Sequence, residues 1–184
     1  MNKLIIDNST FKNYVSKIGQ EIATSDWKPD YIVGLTRGGL LPAVMLSHYL
    51  EIPMMSLDVS LRDGGGCVSN LSMAEDAFGY ISMQDREFSE GEISSVEARK
   101  NILIVDDIND TGATFNWIME DWPSGCFPDD PIWKTIWTQN VRFAVVVDNL
   151  ASKCNVKMDY CGLEINKAEN DVWIEFPYEN WWTK

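Results

Sequence analysis

The run Ile102-Leu-Ile-Val-Asp-Asp-Ile-Asn-Asp-Thr-Gly-Ala-Thr114 decides how this chain is read. Residues 102–105 are apolar and mostly β-branched, the composition of a strand buried on both faces, which implies a parallel sheet covered by helices. Asp106 and Asp107 stand where that strand is expected to end, and ligands of open parallel sheets bind at such ends. Asp110, Thr111, Gly112, Ala113 and Thr114 then form a turn that opens a helix. Gly112 lets the backbone approach a ligand closely, the N–H groups of a helix start face an anion, and two hydroxyls add donors. Carboxylates and anion-binding donors cannot serve the same atom, so they serve different parts of one ligand. The acids accept from sugar hydroxyls or hold a divalent metal, while the turn takes a phosphate. A sugar phosphate meets both demands.

A lone Asp-Asp pair after an apolar run is ordinarily a solvated strand end, followed by an N-cap at Asp110 or Thr111. The whole run is more specific. Apolar strand, paired acids and Asp-Thr-Gly turn, in this order, closely resemble the phosphoribosyl diphosphate (PRPP) signature of type I phosphoribosyltransferases. The resemblance implies an α/β fold of that type, with a central, mainly parallel sheet flanked by helices and a small hood from the N- and C-terminal segments. It also implies transfer of the 5-phosphoribosyl group from PRPP to a nucleobase, a purine, with release of pyrophosphate. A non-catalytic PRPP- or nucleotide-binding regulatory protein of the same fold is the alternative.

A second segment, Tyr31-Ile-Val-Gly-Leu-Thr-Arg-Gly-Gly-Leu40, is again a short apolar strand running into a turn, and residues 41–50 then read as a helix. In the family such a loop binds pyrophosphate, often through a strained or cis peptide before the basic residue, here Thr36-Arg37. Arg37 offers a planar donor fork, while Gly38 and Gly39 keep side chains away from the diphosphate. The third segment, Asp171-Val-Trp-Ile-Glu-Phe-Pro-Tyr-Glu179, resembles the base-binding hood of purine phosphoribosyltransferases, particularly the bacterial xanthine-guanine branch. Trp173 would stack on the purine, with backbone groups near Ile174 and Glu179 reading its edge. The plain reading is a Trp and a Phe filling a small core.

By the same resemblance, Asp106 and Asp107 bind the ribose hydroxyls and Mg²⁺, and Arg37 with Mg²⁺ stabilises the leaving diphosphate. Asp110 takes the place of the general base, and Thr111, Gly112, Ala113 and Thr114 hold the 5′-phosphate. Two positions depart from the family. Its lid often carries a Ser-Tyr pair where this chain has Ser60-Leu61. The lysine that donates to a purine 6-oxo group near the end of a later strand is replaced by Asp148 and Asn149, with Lys153 the next lysine. Asn149 can donate and accept, an ionised Asp148 only accepts, and the two read equally as a turn.

The remaining sequence frames these motifs. With 184 residues, 45% of them hydrophobic, the chain reads as a single domain over 1–184. Its core spans about 28–150, a loop about 60–99, an insertion about 122–140 and the hood about 155–184. Phe11, Tyr14, Val15, Ile18 and Ile22 predict a helix over 10–23 capped by Ser9 or Thr10, and 53–57 a second strand with Met54 and Met55 as core. Residues 62–99 are rich in Gly, Ser, Asp and Glu and read as a long lid loop, with a hairpin that includes 77–82. Trp122-Pro123 and Ser124-Gly125 end the helix after Thr114. Trp133, Ile136 and Trp137 in the insertion cover a sheet edge or meet a second subunit, so a homodimer or higher homo-oligomer is expected. Residues 142–147 resume the sheet.

A formal net charge of −13 argues against a nucleic-acid surface. No apolar run reaches the length of a membrane span and the first residues are unlike a signal peptide, so no membrane partner and a cytoplasmic location are expected. Cys67, Cys126, Cys154 and Cys161 lack metal-site spacing.

Overall fold

The computed structural model describes residues 2–59, 70–88 and 91–182. Along them run β1 (Asn2–Ile5), α1 (Asn8–Thr24), β2 (Tyr31–Leu35), α2 (Leu40–Leu50), β3 (Met54–Leu57), α3 (Leu71–Phe78) and α4 (Met83–Arg86). β4 (Ile102–Asn109), α5 (Ala113–Gly125), α6 (Trp133–Ile136), β5 (Val141–Asn149), β6 (Tyr160–Ile165) and β7 (Val172–Glu175) follow. Five strands form an all-parallel sheet in the order β3-β2-β4-β5-β6. β1 and β7 pair separately, in parallel, and make the small hood. In the main sheet the winding direction reverses between β2 and β4. That switch point opens a crevice at the carboxyl ends of the two strands, which are the ends carrying the first two sequence motifs.

Alternation along the strands divides the apolar residues into two layers. Ile102, Ile104, Phe143 and Val145 pack with α3, α5 and α6, whereas Leu103, Val105, Ala144 and Val146 pack with α1 and α2. A strand sandwiched in this way has no polar face, which is why 102–105 carries no polar residue.

Several expectations need correction. β4 does not end before the paired acids but continues to Asn109, because β5 runs beside it and pairs Asp106 with Val145 and Asn109 with Asp148. Asp148 and Asn149 accordingly close β5 rather than forming a turn. Asp7, not Ser9 or Thr10, caps α1, accepting from the Thr10 N–H at 2.7 Å. α5 passes through Pro123 to Gly125, since buried Trp122 holds its last turn against the core. Trp133 and Ile136 are buried, and Trp133 donates to the Cys126 carbonyl at 2.9 Å and stacks on Trp137. Of the two expected alternatives these side chains take the first, covering the chain's own sheet, though over a face rather than an edge.

The stretch expected to be a loop holds α3, capped by the Asn70 side chain and ended by Gly79 in the left-handed region. Met73, Ala74, Ala77 and Phe78 are buried along one side of it. The expected hairpin over 77–82 is reduced to one antiparallel bridge, Tyr80 with Ser94. Ser60, Leu61 and the glycines at 64–66 lie outside the described residues.

Where β5 and β6 begin, Asp159 accepts from the Phe143 N–H at 2.9 Å, and burial pushes its carboxyl up to about 6. The folded chain therefore keeps this proton to higher pH than the unfolded chain. Stability from this source is complete below the ordinary carboxylate range and is lost as pH rises through about 6. Asp159→Asn keeps the acceptor and removes the buried charge. It is expected to raise Tm at about pH 8, by up to about 3 kcal/mol in stability, and to change it little near pH 4. An equal shift in melts at both pH values would reject this account.

Candidate active site

Two loops meet at the switch point, one after β2 and one after β4. The Thr36-Arg37 peptide is cis, as the resemblance implies. Thr36 is tied to the end of β3, its hydroxyl donating to Asp58 at 2.6 Å and its N–H to the Leu57 carbonyl at 3.0 Å. Arg37 is exposed, and its guanidinium has no partner among the described residues. Gly38 and Gly39 are required by space. A Cβ at Gly38 would stand 1.9 Å from Asp107 Oδ2, and one at Gly39 would stand 2.3 Å from the Val105 carbonyl oxygen. The glycines thus let the first loop lie directly on the strand that carries the paired acids.

Asp106 and Asp107 are both half-buried, and the Asp107 N–H donates to Asp106 Oδ1 at 2.9 Å. Asp107 Oδ2 accepts from the Tyr178 hydroxyl at 2.7 Å. Burial and the nearby Asp107 charge push the Tyr178 phenol far up, so it remains a donor. Among the described residues no group of three or more His, Cys, Asp or Glu gathers as a metal cage. Two adjacent carboxylates suit a hard cation that brings most of its oxygen ligands with its substrate, which is how Mg²⁺ binds beside phosphates. Asp106 and Asp107 fit that ion.

The turn after β4 is tightly built. Gly112 sits at φ 84° as the cap of α5, and a Cβ there would stand 2.3 Å from the Cys154 backbone nitrogen. Both conformation and space exclude a side chain. The turn, from Ile108 to Phe115, lines a small open cavity of about 60 Å³. Asn116 fastens it from behind, donating to the Lys153 carbonyl at 2.9 Å and accepting from the Asn155 N–H at 2.9 Å. Thr111 and Ala113 are exposed at the mouth, and Thr114 is half-buried.

Asp110 is not a lone carboxylate. Lys167, in the turn between β6 and β7, pairs with Asp110 Oδ1 at 2.8 Å, and both side chains are largely shielded. Buried Asn149 organises the pair: its Nδ2 donates to the Asp110 carbonyl at 2.8 Å while its Oδ1 accepts from the Lys167 N–H at 3.0 Å. Asp148 accepts from Asn109 at 2.8 Å, and burial pushes its carboxyl up. These two residues support the turn behind Asp110.

In the hood, Trp173 is 40% exposed, whereas Ile174 is buried in the layer with α1 and α2. Glu179 closes a tight turn, its N–H donating to the Phe176 carbonyl at 3.1 Å and its Oε2 accepting from the Phe176 N–H at 3.2 Å. The Glu179 N–H is thus engaged within the hood. Sequence reasoning missed Tyr178, Lys167 and Asp58. Tyr178 lay inside a quoted motif and Asp58 follows a predicted strand, but nothing local marks Lys167.

Fold and turns define a doubly wound α/β protein with a glycine turn at a helix start and paired acids at its switch point. A family model for the phosphoribosyl transferase domain matches residues 4–179. Xanthine-guanine phosphoribosyltransferase of Idiomarina loihiensis is 24% identical over 148 residues, 80% of this chain and 70% of that protein. Bifunctional protein PyrR of Actinobacillus pleuropneumoniae is 23% identical over 180 residues, 93% and 87% of the two chains. Among solved structures, the purine phosphoribosyltransferase of Pyrococcus horikoshii shares the fold with a TM-score of 0.61 at 24% identity, covering 97% of this chain and 95% of that one. The Helicobacter pylori xanthine-guanine-hypoxanthine enzyme gives a TM-score of 0.59 at 15% identity with the same coverages. The chain belongs to the phosphoribosyltransferase family, and its fold is that of the type I members.

Proposed function

We propose that this protein transfers the 5-phosphoribosyl group of PRPP to a purine, a 6-oxopurine in particular, and releases pyrophosphate. The observation that carries this reading is the close packing of the Arg37-Gly38-Gly39 loop on Asp107, which supports a diphosphate held by that loop next to a ribose held by the acid. The N–H groups at the start of α5 and the Thr111 and Thr114 hydroxyls hold the 5′-phosphate. Asp106 and Asp107 accept from the ribose hydroxyls and orient the anomeric carbon for in-line attack. As the bond to diphosphate breaks, negative charge grows on the leaving group and Arg37 receives it. Mg²⁺, held by Asp106 and Asp107, would neutralise part of that charge when bound.

The new bond forms from a purine ring nitrogen, whose proton passes to Asp110. Asp110 and Lys167 place an acceptor beside a donor, the complement of a ring N–H next to a carbonyl, and this supports an oxo base over an amino base. Lys167 thus takes up a role that the sequence left empty at Asp148. Exposed Leu41, Val44 and Tyr49 of α2, together with Met55 on edge strand β3, support a homo-oligomer as part of the same reading.

Pyrophosphate release with PRPP, Mg²⁺ and a panel of bases tests the proposal. Release with hypoxanthine, guanine or xanthine and not with adenine is expected. Saturable PRPP binding without release for any base would identify a regulatory protein of the same fold instead. Trp173→Ala is expected to raise the KM for the base about 10- to 100-fold, the range of one lost stacking partner, and to leave the KM for PRPP within about twofold. Equal rises in both would remove Trp173 from the base site.

A further inference from the structure

We propose that Tyr178 is a positioning residue for Asp107, so that the hood sets the geometry of the ribose and metal carboxylate. The inference rests on the reading of Asp107 as part of a PRPP site and adds to it a residue to which nothing above gave a role. The Tyr178 ring is fixed on two sides. It stacks on Phe176 at 5.6 Å with an interplanar angle of 4°, and meets the edge of Phe11 at 5.9 Å. Both partners are 3% exposed. The Phe176–Glu179 turn fixes its backbone as well. A hydroxyl held so firmly has one place to donate, Asp107 Oδ2 at 2.7 Å.

That bond has two effects on the carboxylate. It turns Oδ2 to the hood and so selects one side-chain rotamer. It also occupies one lone pair of Oδ2, limiting how many ligand groups Asp107 accepts. Gly38 closes the remaining approach, because any side chain there would collide with the same oxygen. Asp107 is therefore clamped between the pyrophosphate loop and the hood. The same hood segment carries Trp173 on β7.

Tyr178→Phe retains the ring and removes only the donor. Calorimetric titration with PRPP at several Mg²⁺ concentrations is expected to show about tenfold weaker binding, as for loss of a hydrogen bond to a charged group. The Mg²⁺ concentration for half-maximal PRPP binding should rise with it, while Tm stays within about 2 °C of wild type. In an Asp107→Asn background the same change should have almost no further effect, since the two residues act as one unit. Unchanged PRPP and Mg²⁺ titrations in Tyr178→Phe, beside a wild type that binds, would overturn the proposal. So would a full tenfold loss that persists in the Asp107→Asn background. A wild-type protein that binds no PRPP would overturn the PRPP reading itself, and the proposal with it.

Discussion

Asp110→Asn is expected to lower kcat/KM for the base by roughly 10²- to 10⁴-fold, the span typical of a removed general base. Asparagine fills the same space and still accepts from Lys167, so the turn keeps its shape. What it lacks is the ability to take a proton. If Asp110 acts in proton transfer, the loss falls on kcat, whereas a purely orienting role shows as a rise in KM for the base. The groups proposed for the 5′-phosphate are backbone N–H and hydroxyl groups that the substitution does not touch, so the KM for PRPP should move less than about threefold. Lys167→Met complements this experiment. It deletes the donor proposed for the oxo group and leaves Asp110 shielded without its cation. Preference for 6-oxopurines over adenine should then shrink by about tenfold or more. Unaltered base preference in Lys167→Met would detach this pair from base recognition.

Asp106→Asn with Asp107→Asn is expected to weaken PRPP binding roughly 10²- to 10⁴-fold and to abolish its dependence on Mg²⁺. Each carboxylate that receives a hydrogen bond or a cation contributes on the order of 1.5 to 3 kcal/mol, and two are removed. The apolar half of β4 anchors the strand without them, since Ile102, Leu103, Ile104 and Val105 are all buried. Melting should therefore change little, and the test is calorimetry with and without Mg²⁺. Retained Mg²⁺-dependent binding would return the acids to the status of a solvated strand end.

The parts legible in sequence were those with local causes. The strand at 102–105 announced itself by an apolar run, the loop at 36–39 and the turn at 110–114 by glycines with adjacent donors, and α1 by its spacing. α3 was hidden by composition. Its cap, Asn70, its apolar set, Met73, Ala74, Ala77 and Phe78, and its terminator, Gly79, make a complete helical signature inside a stretch dominated by Gly, Ser and acids. The tryptophans at 133 and 137 stay undecided in sequence for another reason. A large aromatic in a connecting segment looks the same in sequence whether it faces a partner or its own sheet, and only the packing of α3 and α5 decides. Lys167 was beyond reach. Its pairing with Asp110 depends on the β5–β6 register that brings Asn149 between them, a long-range fact without a local mark.

The hood has a consequence for the order in which the molecule is made. β1 leaves the ribosome before every strand of the main sheet, and its partner β7 leaves after all of them. A nascent chain that already carries the whole 102–114 motif still has an unpaired β1, no Lys167 for Asp110 and no Tyr178 for Asp107. Domains assemble as their segments emerge, so the sheet can form with the hood still missing. The contacts at Asp110 and Asp107 therefore form late and together, with the emergence of the one short segment from Lys167 to Tyr178.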